Sequence, residues 1–263
     1  MVDVTDVTVS LLMLAGLVAV CEAVRVVSGS ELHADISELV STFQQCCCTH
    51  ELRLLSEVGG IEPRLALTLT YLAALVHALT FRGATGNPTG TLEHVYRARL
   101  TRGCALRRVA CQFAAALLAR FAVHAMRGLG LSGLHAHHAG LGFQCTSNIH
   151  ASLPWAALVE LACAFAVQTV TSCTRTMEEK YRVHALAATI TAVGYTGGGV
   201  SGAVFNPALA FSTQFHCSGN SMLDYCLVYW VGPLLGMMAS VLLIDKLRPS
   251  PSPHLHGDTK KTS

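Results

Sequence analysis

The stretch VFNPALAFS at residues 204–212 decides the fold, and TGNPTGTLE at residues 85–93 repeats its centre. Asn-Pro fits apolar surroundings poorly, because Pro lacks a backbone donor and Asn brings an amide that needs partners. Asn is nevertheless a good helix N-cap, and Pro is favoured at the first helical position. Each stretch therefore predicts the start of a helix.

The composition is that of a membrane protein. The 263 residues are 52% hydrophobic and 13% charged, whereas soluble domains carry about 25% charged residues. Seven apolar stretches stand out, and several reach the roughly 20 residues of a spanning helix only if they extend into polar flanks. The first has no basic residue before it and is interpreted as a retained helix rather than a cleaved leader. The stretches are 7–27, 36–48, 65–81, 105–126, 155–171, 183–195 and 225–244.

Each Asn-Pro pair follows one of these stretches and opens about ten helix-compatible residues, at 87–97 and 206–216. Ten helical residues rise about 15 Å, half a bilayer core, so we expect both helices to enter the membrane and stop. The two Asn are 119 residues apart, and Glu38 and Glu160, each early in an apolar stretch, are 122 apart. This spacing predicts an inverted repeat of three spans and one half-helix, with the first stretch added in front.

The charges of the loops predict the orientation of the chain. Basic residues cluster at 97–108, 175–182 and 246–261, and basic loops face the cytosol. The acidic segment 51–62 and the His-containing segment 128–150 are then non-cytosolic. With seven spans the N-terminus is also non-cytosolic, whereas a first stretch lying along the membrane surface would return it to the cytosol.

Two half-helices that enter from opposite faces would meet near the membrane midplane. There each Asn would direct its side-chain NH₂ towards passing molecules, and the positive ends of the two helix dipoles would repel cations and protons. Irregular backbone at this depth is tolerated only where it lines a cavity. The motif therefore predicts a pore for small neutral polar solutes.

These residues resemble the aquaporin family, and FQQCCCTHELRLLSE at 43–57 with GAVFNPALA at 202–210 resembles its superaquaporin branch. The similarity covers roughly residues 10–245. It implies an all-α, multi-span membrane fold built as an aquaporin-like inverted repeat. The implied parts are an extra N-terminal hydrophobic helix (1–33), a first half with an Asn-Pro-Thr box (34–130), a His-containing connecting loop (131–150), a second half with an Asn-Pro-Ala box (151–245) and a cytosolic basic tail (246–263).

The resemblance also implies the residues of the pore. Leu209 stands where water-selective members have Arg, so the outer filter is expected to be wide, apolar and less selective; Gly194 resembles the glycerol-conducting members. The central constriction would contain Asn87, Pro88, Thr89, Asn206, Pro207 and Ala208, with Thr89 in place of the usual Ala. The filter positions, carried over by their offset from the boxes, are Leu67, Gly194, Ala203 and Leu209.

Three further residues have structural roles by resemblance. Glu38 and Glu160 match buried glutamates that accept hydrogen bonds from the half-helix loops, the alternative being helix-end glutamates that reach water. Cys217 matches a cysteine tied to assembly and function, the alternative being a small buried residue at a helix end. Otherwise the eleven cysteines lack zinc spacing, and neighbours such as those at 46–48 point apart, so no disulfide framework is expected.

Three further features of the sequence have a functional and a simpler interpretation. His135, His137 and His138 are a candidate weak metal site, but solvated loop histidines are favoured and no metal is predicted. The glycines at 197–199 and 202 are expected to form loops and to let backbones approach closely. Lys260 and Lys261 have the dilysine form of an endoplasmic-reticulum retrieval address, which agrees with the intracellular location of the superaquaporins; the plasma membrane is the alternative.

The expected function is a passive channel for water, glycerol and hydrogen peroxide. No motif of a serine hydrolase, P-loop or zinc protease is present, so no enzyme and no cofactor is predicted. The expected partners are membrane lipid and small neutral permeants, with a homotetramer implied by the resemblance and, given a formal charge of only +2, no nucleic acid. Two alternatives remain: a structural membrane protein of the endoplasmic reticulum that conducts little, and a coupled transporter that uses the two glutamates.

Overall fold

The computed structural model describes residues 3–28 and 33–247, and within these ranges the chain folds into helices without a named strand. This confirms the predicted all-α class. Two π-helical turns, Leu54–Val58 and Leu227–Val231, extend α2 and join α10 to α11. The helices are α1 (Val4–Val27), α2 (His33–Arg53), α3 (Pro63–Thr80), α4 (Pro88–Tyr96), α5 (Arg102–Gly128), α6 (Gly133–Gly140), α7 (Leu153–Cys173), α8 (Glu179–Ser201), α9 (Pro207–Thr213), α10 (Met222–Cys226) and α11 (Gly232–Leu247).

Four segments are long and apolar enough to cross a membrane: α1, α5, α7 and the continuous segment Met222–Leu247. Helices α2, α3 and α8 have 21, 18 and 23 residues and complete a bundle of seven long segments in the described chain. The second predicted stretch, 36–48, is thus the centre of a longer helix. Its polar residues are accommodated because they face the interior rather than lipid; those buried in α2 are Ser37, Glu38, Ser41, Thr42, Gln44 and Glu51.

Equivalent helices of the two halves pair in the same way. Helix α2 packs on α5, α7 packs on α11, and α3 packs on α8 across the halves. The contact of α7 with α11 depends on glycine, because a Cβ on Gly236 would lie 2.2 Å from the carbonyl oxygen of Leu161. Small residues permit this close approach of membrane helices. The symmetric packing places the two half-helices between the halves.

Helix α1 runs along α2 rather than across the bundle surface. Near its start, Ser10 Oγ donates to Glu51 Oε1 at 2.5 Å, and near its end Arg25 Nη2 donates to Gln44 Oε1 at 2.8 Å. The two anchors are 15 residues apart, about 22 Å of helix rise. Asp6 Oδ1 also accepts from the backbone N–H of Leu134, at the end of the bundle that holds segment 128–150. Helix α1 therefore packs lengthwise on α2, as the seven-span prediction requires.

Two expectations about local structure are wrong. Within the His-containing segment, residues 133–140 form α6 rather than a loop, and His135 is fully buried with Nε2 2.8 Å from Glu51 Oε1, whereas His137 is exposed as predicted. Among the described residues, no group of three or more His, Cys, Asp or Glu could hold a metal ion. The glycines at 197–199 do not form a loop but continue α8, because only Gly202 adopts a left-handed conformation, φ +84°, and ends the helix. Close approach does occur at Gly197, where a Cβ would lie 2.8 Å from Val159 Cγ1.

The cysteine expectation is wrong at one pair. Cys145 and Cys217 form a disulfide across 72 residues of sequence. Local sequence pattern does not connect the two cysteines, because Cys145 lies in the connecting segment and meets Cys217 only in the folded chain. The bond lies at the end of the bundle predicted to be non-cytosolic, where an oxidising compartment allows disulfides. The neighbours Cys46, Cys47 and Cys48 are free and buried, so they act as small core residues.

Candidate pore at the meeting point of two half-helices

Both Asn-Pro pairs start helices in the structure. Asn87 Oδ1 caps α4 by accepting from the backbone N–H of Thr89 at 3.0 Å and from its hydroxyl at 2.9 Å. Asn206 Oδ1 caps α9 by accepting from the backbone N–H of Ala208 at 3.0 Å and of Leu209 at 3.3 Å. Each amide thus uses its oxygen locally and keeps its NH₂ for other partners. The helices have 9 and 7 residues, slightly shorter than predicted. The other box residues, Pro88, Thr89, Pro207 and Ala208, are buried.

The free NH₂ groups join the two half-helices tip to tip. Asn206 Nδ2 donates to the carbonyl oxygen of Gly86 at 2.7 Å and lies 3.5 Å from Gln45 Oε1. In the other direction, Asn87 Nδ2 donates to the carbonyl oxygen of Phe205 at 3.2 Å. Each Asn therefore holds the loop that precedes the other helix. We call this pair of reciprocal contacts the neck.

Glu38 organises the loop before α4. Its carboxylate accepts from the backbone N–H groups of Thr85 at 3.0 Å and Gly86 at 2.6 Å, and from the Thr85 hydroxyl at 2.8 Å. Gln112 Nε2 of α5 adds a bond at 2.7 Å, and Arg108 Nη1 lies 3.7 Å away. Glu38 is fully buried, so it does not reach water. These donors fix the carbonyl of Gly86 that Asn206 contacts.

Glu160 occupies the equivalent place in the second half. It accepts from the Ser201 hydroxyl at 2.6 Å and from the backbone N–H groups of Val204 at 2.9 Å and Phe205 at 2.5 Å. Tyr229 donates its hydroxyl to the carbonyl of Ser201 at 2.8 Å. Glu160 is fully buried as well. The backbone it holds is irregular, since Phe205 has a positive φ of 38°, a conformation that persists only where the surroundings impose it.

A cavity of about 680 Å³ lies on one side of the neck. Its inner end is lined by Gln45 and Phe205, which contact the Asn amides, but not by the six box residues. Its walls come from α2, α3, α8 and the segment before α9. All four predicted filter residues line this one cavity: Leu67, Gly194, Ala203 and Leu209.

Several polar residues of the cavity were not predicted. Arg53 and Glu57 lie in the quoted stretch 43–57 and form an ion pair four residues apart, which was a visible signal of a fixed charged pair. Asn148 and His77 also line the cavity. Asn148 gave no signal, because the segment that carries it has no periodicity that would direct it to the pore.

Comparison with known proteins agrees with this geometry. The family model described as "Major intrinsic protein" matches residues 13–244. The chain belongs to this family, the aquaporins. The aquaporin fold also appears in the X-ray structure of the aquaglyceroporin from Plasmodium falciparum, which superimposes with a TM-score of 0.68 over 83% of this chain and 97% of that one; at 17% identity this shows the fold alone.

Among named aquaporins, the chain is similar to Aquaporin-11 of Equus caballus, 37% identical over 91% of this chain and 88% of the relative. Aquaporin-11 of Homo sapiens is 34% identical over 94% of this chain and 92% of the relative. Aquaporin-12 of Mus musculus is 36% identical over 89% of this chain and 84% of the relative. The predicted resemblance is therefore confirmed. As an aquaporin, the protein is a membrane channel for water and small solutes.

Proposed function

We propose that the protein is a passive channel for water, glycerol and hydrogen peroxide, which cross at the neck and pass the filter residues of the adjoining cavity. The observation that carries the proposal is the reciprocal contact of Asn87 and Asn206 at the inner end of that cavity. Two helix N-termini that meet there combine positive dipole ends with amide donors, an arrangement that favours neutral acceptors over cations.

The breadth of the solute range follows from the filter. Leu67, Gly194, Ala203 and Leu209 offer no side-chain hydrogen-bond donor, so size rather than a fixed polar contact limits entry at these four positions. We therefore propose that glycerol and hydrogen peroxide pass together with water. Glu38 and Glu160 are occupied by donors of their own halves, which favours bracing over ion coupling.

A blocking variant tests the path. Gly194 lines the cavity, and a Cβ there would meet no atom within 4 Å, so Gly194→Phe adds a phenyl ring to the cavity wall without a clash at its Cβ. Gly16→Phe is the matched control, because Gly16 also has open space around it but lies in α1. In vesicles containing the purified full chain, stopped-flow light scattering should show that only Gly194→Phe loses water and glycerol flux.

The alternatives give different results in the same vesicles. If the unaltered protein conducts no solute of a panel of water, glycerol, urea and hydrogen peroxide, the structural alternative is favoured. If conduction requires a sodium or proton gradient, the transporter alternative is favoured. If Gly194→Phe conducts every solute at the unaltered rate, the cavity is not the path.

We also propose residence in the endoplasmic-reticulum membrane and assembly as a homotetramer. The address, Lys260 and Lys261, lies outside the described residues. Replacing both with Ser should move the protein to the cell surface, measured by surface biotinylation; unaltered residence would refute the address. Chemical cross-linking in native membranes measures the number of subunits.

A further inference from the structure

Arg53 is a cation in the wall of the proposed pore. Among the described residues that line the cavity, it is the only Lys or Arg, and Glu57 is the only Asp or Glu. The same cavity contains Leu209, at the position where water-selective aquaporins have Arg. The pore thus lacks a cation at that position and has one from α2 instead.

The guanidinium of Arg53 is held in a fixed orientation. Nε donates to Glu57 Oε1 at 2.9 Å and Nη2 donates to Glu57 Oε2 at 3.2 Å, so the planar fork meets both carboxylate oxygens. Nη2 also donates to Asn148 Oδ1 at 2.5 Å. Three bonds to two partners restrict a side chain that would otherwise sample many rotamers.

Asn148 links this guanidinium to the segment that contains the filter residue Ala203. A Cβ on Gly202 would lie 3.1 Å from Asn148 Cβ, so Asn148 packs directly on the residue before Ala203. The backbone N–H of Asn148 donates to Gln214 Oε1 at 3.1 Å, which ties it to the end of α9. The segment that contains Ala203 and the partner of Arg53 are therefore in contact.

The ion pair leaves one nitrogen of the guanidinium without a hydrogen bond to the described residues. Glu57 Oε1 accepts from both Arg53 Nε and Asn148 Nδ2, the latter at 3.0 Å, and Oε2 accepts from Arg53 Nη2. Arg53 Nη1, which carries two N–H groups, makes no hydrogen bond to any described residue. The guanidinium thus keeps free N–H groups, while Glu57, whose side chain is 49% exposed, keeps acceptor capacity at Oε2.

We propose that Arg53 is a specificity-determining residue of this pore, a cation supplied by α2 in place of the filter arginine that Leu209 replaces. It repels protons and cations at the filter and donates hydrogen bonds to water and hydroxyl-bearing solutes. This inference rests on the proposed channel function, and it assigns the selectivity of that channel to a side chain outside the four filter positions.

The main test compares proton leak with water flux in the same vesicles. Arg53→Gln should raise proton flux, read from an enclosed pH dye with the potential clamped by potassium and valinomycin, by about tenfold, because a partly neutralised charge at this range changes the barrier for a cation by that order. Water flux should stay within about twofold. Arg53→Lys keeps the charge and should retain most of the exclusion.

The matched control is Arg64→Gln. Arg64 lies at the same end of the bundle, its side chain is 93% exposed, and it does not line the cavity. Its proton flux should equal that of the unaltered protein. The proposal is overturned if Arg53→Gln has the proton flux of the unaltered protein. It is also overturned if Arg53→Gln and Arg64→Gln have equal proton flux.

A second variant keeps Arg53 in place, and it tests the proposal by itself if Arg53→Gln does not fold. Glu57→Gln retains an acceptor but removes the compensating charge, so chloride flux, read from an enclosed halide-sensitive dye, should rise. Unchanged chloride flux together with normal water flux overturns the proposal. Absence of water flux in the unaltered protein contradicts the channel function itself, which distinguishes the two failures.

Discussion

In the first half of the repeat, the loop that Glu38 holds is also bonded by a second side chain. Gln112 bonds Glu38, Thr85 and Thr91, and its own Oε1 is buried without a partner among the described residues. In the second half, the Ser201 and Tyr229 hydroxyls assist Glu160, but no amide side chain among the described residues bonds it. The loop is thus held by a carboxylate and an amide in one half, and by a carboxylate and two hydroxyls in the other.

The far ends of the half-helices differ too. Helix α4 ends in ion pairs: Arg97 donates to Glu93 at 2.6 Å and to Asp245 of α11 at 2.7 Å. Helix α9 is followed by Cys217 and its disulfide to Cys145. The Arg97–Glu93 pair is largely buried, with side chains 19% and 5% exposed, whereas Asp245 is 37% exposed and its contribution should weaken with salt; the cross-link acts instead by restricting the unfolded chain. The stability of the second half should therefore depend more on Glu160 than the stability of the first half depends on Glu38.

Loss of Glu160 should have the largest effect. Glu160→Ala leaves the buried N–H groups of Val204 and Phe205 without an acceptor and should cost about 3–5 kcal/mol of unfolding free energy. Denaturant unfolding of the purified protein in detergent measures this. Glu62→Ala, whose side chain is 68% exposed, is the control and should be neutral. Equal stability of the two variants would remove the bracing role.

The disulfide should come second. Replacing both Cys145 and Cys217 with Ser should cost about 2–4 kcal/mol, because the bond restricts a long segment of the unfolded chain. Reductant should lower the melting temperature of the unaltered protein and leave that of the double variant unchanged. Cys173→Ser, at an exposed free cysteine, controls for loss of a thiol. A melting temperature insensitive to reductant would contradict the expectation.

Glu38→Ala should cost less than Glu160→Ala, about 2 kcal/mol, since a flip of the Gln112 amide offers its oxygen to the freed N–H groups. Adding Gln112→Leu removes that reserve, so the double variant should approach the loss seen for Glu160→Ala. The same unfolding titrations measure both. If Glu38→Ala lowers the unfolding free energy more than Glu160→Ala does, Gln112 does not replace the lost acceptor.

The smallest effect is expected at the end of α4. Asp245→Asn removes the exposed partner of Arg97 and leaves the buried Glu93 paired, so it should cost about 0.5–1 kcal/mol, and the difference from the unaltered protein should shrink as salt rises. Melting temperatures at low and high sodium chloride measure it. Arg102→Gln, at an exposed arginine, should show no such difference. A salt-independent loss as large as that of the disulfide would show that α4 is not held more loosely than α9.

The short helices and long spans could be predicted because their signals are local. An Asn N-cap, a Pro at the next position and an apolar run each determine structure within a few residues. The two boxes were also linked by a repeat spacing, which reduced the number of arrangements to consider. The family model and the aquaglyceroporin fold support the same architecture.

What could not be predicted depends on distant partners. The disulfide needs Cys145 and Cys217, which local pattern does not connect, and the orientation of Arg53 needs Asn148, 95 residues further along the chain. His135 was assigned to a loop because its neighbours are His and Gly, yet its contact with Glu51 buries it in a helix. Polar composition predicts a loop only where no buried partner exists.

The reciprocal contacts at the neck also set an order of events during biosynthesis. Gly86 and Asn87 leave the ribosome more than a hundred residues before Phe205 and Asn206, and domains form from the N-terminal side as the chain emerges. The first half must therefore wait in the membrane with its tip unpaired until the translocon releases the second. Closure of the neck is consequently a late step, and a chain stopped after α8 would lack it entirely.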